Sequence, residues 1–248
     1  MTRELADWVK SEVRPLREKS VSWLSQYHFF RDPARSAFVD PRLFFAPADG
    51  VVLYAGVVEP DEAILDVKGR SYSLREAIRD PFYDRASLVV GIFMTFFDVH
   101  VNRVPYSGFL SYREFDPLDT ENHPMLDLEQ DIMENLRIPH ERAGYLHHNQ
   151  RMVNRIDVPA LGIPYYVLQV ADYDVDSITP FTLKQNQPCR QGERFSQIRY
   201  GSQVDLIVPL SARHRFTALV SPREHVEAGV DPIVAIDEIH PLSQSGQL

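Results

Sequence analysis

From about residue 43 onward this chain is written in short β-branched runs separated by turn residues, a texture that does not fit a helix bundle. The clearest run is Gly50-Val51-Val52-Leu53-Tyr54-Ala55-Gly56-Val57-Val58. Residues 63–68, 88–95, 164–170, 203–209, 217–220 and 232–236 read the same way. A short helix is expected over 73–79, where Ser73 precedes Glu76 by three residues as in a capping box. Residues 116–149, with Pro117, Pro124 and Pro139, form a polar loop-helix insertion. Ahead of all this, residues 2–28 carry apolar side chains at helical spacing: Leu5, Trp8, Val9, Val13 and Leu16, then Val21, Trp23, Leu24 and Tyr27. Pro15 is expected to kink or split that helix. The tail after Pro241 is expected to fray.

The expected fold is therefore α+β, with a mainly antiparallel β core of sandwich or barrel-like form behind N-terminal helices. Residues 1–42 form the helical segment and 43–248 the main domain. Near the end, Gly229 stands between two strand-like pieces, a pattern similar to the hammerhead-type sandwiches of lipoyl carriers and shared with many hairpins.

The 248 residues carry 26 basic and 35 acidic side chains, a net charge of -9, which argues against a broad nucleic-acid footprint. One cysteine, Cys189, fits a reducing, cytoplasmic compartment, and residues 1–10 lack the apolar core of a secretory signal. The longest apolar stretch, about residues 88–97, is too short to span a bilayer, so membrane contact would be peripheral. The segment best suited to it is 1–42, with Trp8, Trp23, Tyr27, Phe29 and Phe30 and eight basic against six acidic residues. Packing of that helix on its own domain is the plainer reading.

Three short segments carry chemistry. Asp49 sits in Pro47-Ala48-Asp49-Gly50, where an Asp-Gly turn is the ordinary meaning and a carboxylate that orients a histidine the functional one. Asp98-Val99-His100 closes the apolar run. Two residues apart on a strand, the carboxylate and the imidazole share one face, where they couple in proton affinity; pairing of Asp98 with Arg103 is the plainer alternative. Gly201-Ser202 is the third. A serine hydroxyl attacks its own preceding carbonyl only where the backbone is held for it and the oxyanion is stabilised, and a glycine before it widens the backbone choices. Alone the dipeptide is a turn. His147-His148 is the obvious metal pair, yet adjacent residues point apart, and no metal site is expected.

Taken in order, Asp49, His100 and Gly201-Ser202 resemble the phosphatidylserine decarboxylase family, of which this chain looks like a compact branch. The resemblance runs over about residues 43–208 and includes Lys68-Gly69, Tyr72-Ser73-Leu74, Asp98-Val99-His100 through Pro105, Asn149-Gln150-Arg151 and the run from Gly192 to Leu206. It implies self-cleavage between 201 and 202 into a β fragment (1–201) and an α fragment (202–248), with Ser202 converted into a pyruvoyl cofactor. It also implies Asp49 in the self-processing relay and His100 as the base, and a carbonyl that captures the substrate amine and takes up the electrons released with carbon dioxide. Its expected partners are a phospholipid, the membrane surface and the chain's own two fragments, with a homodimer as one open assembly. Another serine-bearing or soluble amino acid substrate, or a non-catalytic lipid- or partner-binding homologue, are the alternatives. The chain departs from the family pattern at Arg103, where a second histidine is frequent, at Gln203 and Ser196, and near Ala171 and Asp176, where glycines are expected. Which residue deprotonates Ser202 stays open at this point.

Overall fold

The computed structural model describes residues 2–28, 30–35, 39–118, 121–173, 177–199 and 201–239. Phe29, Asp176, Tyr200 and the tail after Pro241 lie outside the described residues. The N-terminal segment starts as a two-residue strand, β1 (Arg3–Glu4), and turns into α1 (Leu5–Trp8), which continues through wider and tighter turns to Leu16. Pro15 lies in the closing 3-10 turn, and helix resumes only at α2 (Val21–Trp23), so the run is split as its proline implies.

The remaining strands follow the β-branched runs. They are β2 (Leu43–Phe45), β3 (Gly50–Val58), β4 (Ala63–Val67), β5 (Arg70–Ser73), β6 (Ser87–Met94), β7 (Val101–Arg103) and β8 (Gly108–Phe115). Beyond the insertion come β9 (Arg151–Val158), β10 (Ile163–Ala171), β11 (Ile178–Pro180), β12 (Gln187–Cys189), β13 (Arg194–Ile198) and β14 (Ser202–Pro209). The chain closes with β15 (His214–Ala218), β16 (Glu224–Val226) and β17 (Pro232–Glu238). The strand expected at 217–220 ends early: the hairpin register Phe216↔Ile236 draws β15 toward the turn, leaving Leu219 and Val220 outside it. Helix α3 (Leu74–Ile78) is capped by Ser73, whose Oγ accepts from the Glu76 N–H at 3.4 Å; loss of such a cap costs about 1 kcal/mol. The insertion supplies α4 (Leu126–Asn135) and α5 (Tyr145–His148).

Nine strands form one antiparallel sheet in the order β1-β16-β3-β6-β14-β10-β9-β8-β12. Alternation along its strands divides the core. Val204, Leu206 and Val208 of β14 join Val90, Ile92, Met94 and Val167 on one face, which packs with Phe44, Phe195, Phe216 and Val234 of the sheets β11-β13-β7 and β15-β17-β2. Val89, Phe93, Leu168 and Ile207 look the other way, onto Leu5, Trp8 and Val13 of the N-terminal helix and Leu128, Ile132 and Leu146 of the insertion. The fold is α+β, mostly antiparallel β with few helices, as the sequence implies. β14 lies between β6 and β10, in the middle of the sheet, and its first residue is Ser202.

Candidate active site

Ser202 pairs with Met94 on β6 and Ala171 on β10 and is fully buried. Its Oγ lies 3.7 Å from the Met94 thioether, and Asn102 Nδ2 approaches the same sulfur at 3.6 Å. Behind them runs a chain of buried amides. Gln169 Nε2 donates to Asn102 Oδ1 (2.7 Å) and Ser196 Oγ (3.0 Å), and Asn154 Nδ2 donates to Gln169 Oε1 (2.8 Å). The residue that departs from the family pattern at 196 is thus a member of this network.

On the other side of the dipeptide the surroundings are acidic. A Cβ placed on Gly201 would lie 3.2 Å from Asp172 Oδ2 and 3.4 Å from Glu129 Oε2. The second oxygens of these carboxyls accept main-chain N–H groups, Asp172 Oδ1 from Met125 and Glu129 Oε1 from Phe96, both at 2.8 Å. Burial pushes the Glu129 carboxyl well above the usual carboxylate range. The charges of Asp172 and Asp98 push it the same way, against the pull of the Phe96 N–H. A carboxyl that binds its proton more tightly than an ordinary one therefore stands beside Gly201. Nothing in the sequence marks Glu129, which lies in the insertion 73 residues before Ser202 among seven other acidic residues.

The segment Thr95 to His100 is a turn, not the continued strand that the motif suggests. Asp98 Oδ2 accepts from both the Thr95 N–H (2.8 Å) and the Thr95 Oγ1–H (2.7 Å), and the Asp98 N–H returns to the Thr95 carbonyl (3.1 Å). That local capture ends β6 at Met94 and corrects the expectation of a shared strand face for Asp98 and His100. The Asp98 carboxylate instead accepts from His225 Nε2 at 2.7 Å. Burial alone would raise the Asp98 carboxyl; His225 and the two Thr95 donors outweigh it and hold it below its usual range. His100 meets Asp98 through the main chain, Nδ1 to the carbonyl oxygen at 3.0 Å. A carbonyl only accepts, so Nδ1 carries the proton and Nε2 is the basic nitrogen of the neutral ring. The His100 carbonyl in turn accepts from the Ile198 N–H (3.1 Å), four residues before Ser202.

Asp49 is held elsewhere in the same region. Its two oxygens accept from the two terminal nitrogens of Arg35, each at 2.6 Å, and Oδ1 also accepts from the Ala228 N–H at 2.7 Å. Arg103 pairs with Asp32 (3.1 Å) and donates to the Gly192 carbonyl (3.0 Å), so it does not neutralise Asp98. A cleft of about 260 Å³ brings Asp49, Asp98, Arg31, Arg35, Trp8 and His225 together. A second, of about 320 Å³, is lined by Val13, Phe96, Phe97, Leu126 and Met133 together with Arg17, Glu129, Gln130 and Glu134.

The histidine pair of the insertion is spent on structure. His147 Nδ1 sits 2.7 Å from Glu76 Oε1, and His148 stacks on His123 with centroids 4.4 Å apart. Among the described residues no group of three or more His, Cys, Asp or Glu is placed to hold a metal ion. Burial pushes the Cys189 thiol up to about 11, so it stays protonated.

The central strand of the antiparallel sheet thus opens on a buried Gly-Ser, with the carboxyls of Asp172 and Glu129 beside the glycine and the His100 carbonyl bonded to the strand just before it. Comparison with known proteins gives the lineage. The model of the phosphatidylserine decarboxylase family matches residues 25–233. The phosphatidylserine decarboxylase proenzyme of Ralstonia pickettii (strain 12J) is 31% identical over 189 residues, 76% of this chain and 70% of that protein. Proenzymes of the same name from Cupriavidus pinatubonensis (29% over 211 residues, 85% and 78%) and Erythrobacter litoralis (30% over 220 residues, 88% and 76%) are similar to it as well. The chain belongs to the phosphatidylserine decarboxylase family and is a carboxy-lyase.

Proposed function

We propose that this chain is a proenzyme that cuts itself between Gly201 and Ser202 and then decarboxylates a phosphatidylserine-like head group to the corresponding ethanolamine. The observation that carries the reading is the placement of Gly201-Ser202 at the mouth of the central strand, with His100 tied by its main chain to the strand just before it. In the self-processing step, Ser202 Oγ adds to the Gly201 carbonyl carbon, the C–N bond breaks, and the freed Ser202 amine takes up the hydroxyl proton, leaving an ester. Removal of the Ser202 Cα proton then expels the Gly201 carboxylate, and water replaces the nitrogen, which leaves as ammonia. His100 Nε2 is the base we assign to the Cα proton and the group that returns a proton after carbon dioxide is lost. Glu129, whose carboxyl burial biases toward the protonated form, is the group we assign to donate to the departing nitrogen. Asp49 stays in the reading as the acid of the self-processing relay, fixed by Arg35. The pyruvoyl group derived from Ser202 supplies the carbonyl that takes up the electrons of decarboxylation. Asn102, Gln169 and Ser196 would hold its surroundings in hydrogen bonds.

A lipid substrate is supported by the mixed cleft of Val13, Phe96, Phe97, Leu126 and Met133, whose one basic side chain, Arg17, we assign to the phosphate. Membrane contact is assigned to Tyr27 and Phe30, which are 66% and 53% exposed; Trp8, by contrast, is buried. Among the described residues no helix is long and apolar enough to cross a membrane. The pieces on either side of Gly229 that we liken to a lipoyl-carrier element are β16 and β17, which belong to different sheets and do not pair with each other.

Denaturing mass spectrometry of the purified chain tests the reading. Wild-type protein is expected as two fragments meeting at 201/202, the smaller reactive to a carbonyl reagent, and Ser202→Ala as one uncut and inactive chain. A folded wild-type chain of a single full-length mass would defeat it and favour a non-catalytic homologue. Incubation of the cut protein with phosphatidylserine vesicles and with free serine, followed by product analysis, separates the lipid substrate from a soluble one.

A further inference from the structure

His225 is the buried titratable group that the reaction above leaves unused. It lies on β16, 2% exposed, with its ring stacked on Trp8 of α1 at 4.3 Å between centroids and 13° between planes. Its Nε2 faces Asp98 Oδ1 at 2.7 Å, and its Nδ1 makes no hydrogen bond among the described residues. The Asp98 carboxylate accepts, so Nε2 is the protonated nitrogen of His225.

Asp98 thus holds two imidazoles at once, His225 through its carboxylate and His100 through its carbonyl. The two attachments are mechanically linked. The Asp98 side chain closes the turn on Thr95 through Oδ2 and is tied at Oδ1 only by His225 among the bonds described, so the orientation of the carboxylate, and with it the turn, depends on that donor. The turn, with Arg31 donating to the Asp98 carbonyl at 3.1 Å and to the Phe97 carbonyl at 2.7 Å, sets where the Asp98 carbonyl points, and the carbonyl fixes which nitrogen of His100 is basic.

We propose that His225 is a positioning residue for His100. It acts through Asp98, with Trp8 holding its ring in plane. The inference rests on the reading of His100 as the base. Cleavage at 201/202 gives it a further consequence: His225 and Ser202 belong to the small fragment, whereas Trp8, Asp98 and His100 belong to the large one. The His225–Asp98 bond then ties the fragment that carries the reactive group to the turn that carries its base.

The test uses the full chain with His225→Leu, which removes the donor and keeps an apolar body against Trp8, and His225→Gln, which restores a side-chain N–H. Self-cleavage is timed by mass spectrometry, and kcat and KM are measured on the cut proteins with phosphatidylserine vesicles. The leucine variant is expected to lose about 10- to 100-fold in kcat at unchanged KM, the scale seen when a group that orients a working imidazole is removed. The glutamine variant is expected to recover most of that loss. A leucine variant with wild-type kcat, or a folded glutamine variant as impaired as the leucine one, overturns the proposal. Should the leucine variant not fold, ring-nitrogen NMR of the wild type decides. A neutral His100 with its proton on Nδ1 and a His225 protonated on Nε2 sustain the arrangement, and the opposite tautomer at either ring overturns it. A wild-type chain that never splits at 201/202 would sink the proposed function instead, and the tautomers would still judge His225.

Discussion

Asp49 and Asp98 are both buried, both line the cleft under the N-terminal helix, and both stand in motifs that point a carboxylate at an imidazole. Their partners set them apart. Asp49 meets Arg35 in two parallel bonds of 2.6 Å, a planar fork that is charged at every working pH. Asp98 meets an imidazole and the two donors of Thr95, and its carbonyl holds a second imidazole. The first pair is an electrostatic strut that ties residue 35 to the Ala228 loop. The second is a junction that joins a carboxylate to Thr95 and to two imidazoles. The two acids share one cleft and differ in what holds them, a guanidinium fork for Asp49 and an imidazole with two threonine donors for Asp98.

That difference predicts unequal costs, best measured by urea unfolding in the uncut Ser202→Ala chain, where self-cleavage does not intervene. Asp49→Ala leaves a guanidinium buried without its counter-charge and is expected to cost about 3–5 kcal/mol. Asp98→Ala strands the two Thr95 donors and the His225 N–H, a smaller loss of about 1–3 kcal/mol. Equal losses would break the comparison. Replacing both members of the strut, Arg35→Met with Asp49→Leu, is expected to recover most of the stability that Asp49→Ala loses, because the pair's desolvation is removed with its attraction. If the double variant is as unstable as the single one, the strut is worth more than the ion pair alone.

The local features of this fold are legible in the sequence because their signals are local. The strand at 50–58 is bounded by its glycines, Ser73 caps α3 three residues before Glu76, and Gly201-Ser202 opens a β-branched run that is β14. The site is legible only as far as its motifs reach. Asp98 and His100 are found by their spacing, but their relation is misread, because Thr95 captures the carboxylate and bends the chain where an alternating pattern implies a strand. His225 lies 127 residues from its partner, in a three-residue strand with no periodicity to mark it. Glu129 and Asp172 converge on Gly201 from the insertion and from the end of β10, a meeting that depends on tertiary packing alone. The departure at Gln203 is explained once the structure is seen. Its amide donates to Tyr54 Oη and Asp205 Oδ1, both at 2.7 Å, and accepts from Tyr145 Oη at 2.6 Å, on the sheet face opposite Ser202. Gly91 leaves the space that the Tyr54 ring fills, since a Cβ there would lie 2.4 Å from it.

Acid sharpens the contrast, since Asp98 and Asp205 titrate with opposite consequences. Asp98 is held below the usual carboxylate range, so its contribution to stability is complete above its unfolded value of about 4 and is lost as pH falls through its lower folded value. Wild-type protein should lose stability there, and Asp98→Asn should show a shallower loss. Asp205 is pushed up to about 6 by burial, against the pull of Gln203, Tyr54 and Arg151. The folded chain then binds a proton more tightly than the unfolded one, so this group adds most stability below about pH 4 and less as pH rises through about 6. Urea midpoints taken from pH 3 to 8 separate the two slopes, and Asp205→Asn should flatten only the upper one. The effect is the smallest of the set, because Tyr54 Oη still finds an oxygen on asparagine and the network loses a charge but keeps its shape. An unchanged upper slope in Asp205→Asn would mean that the carboxylate stays ionised in its network. The contrast between an acid that favours its charged form and one that favours its proton would then not separate Asp98 from the far face of β14.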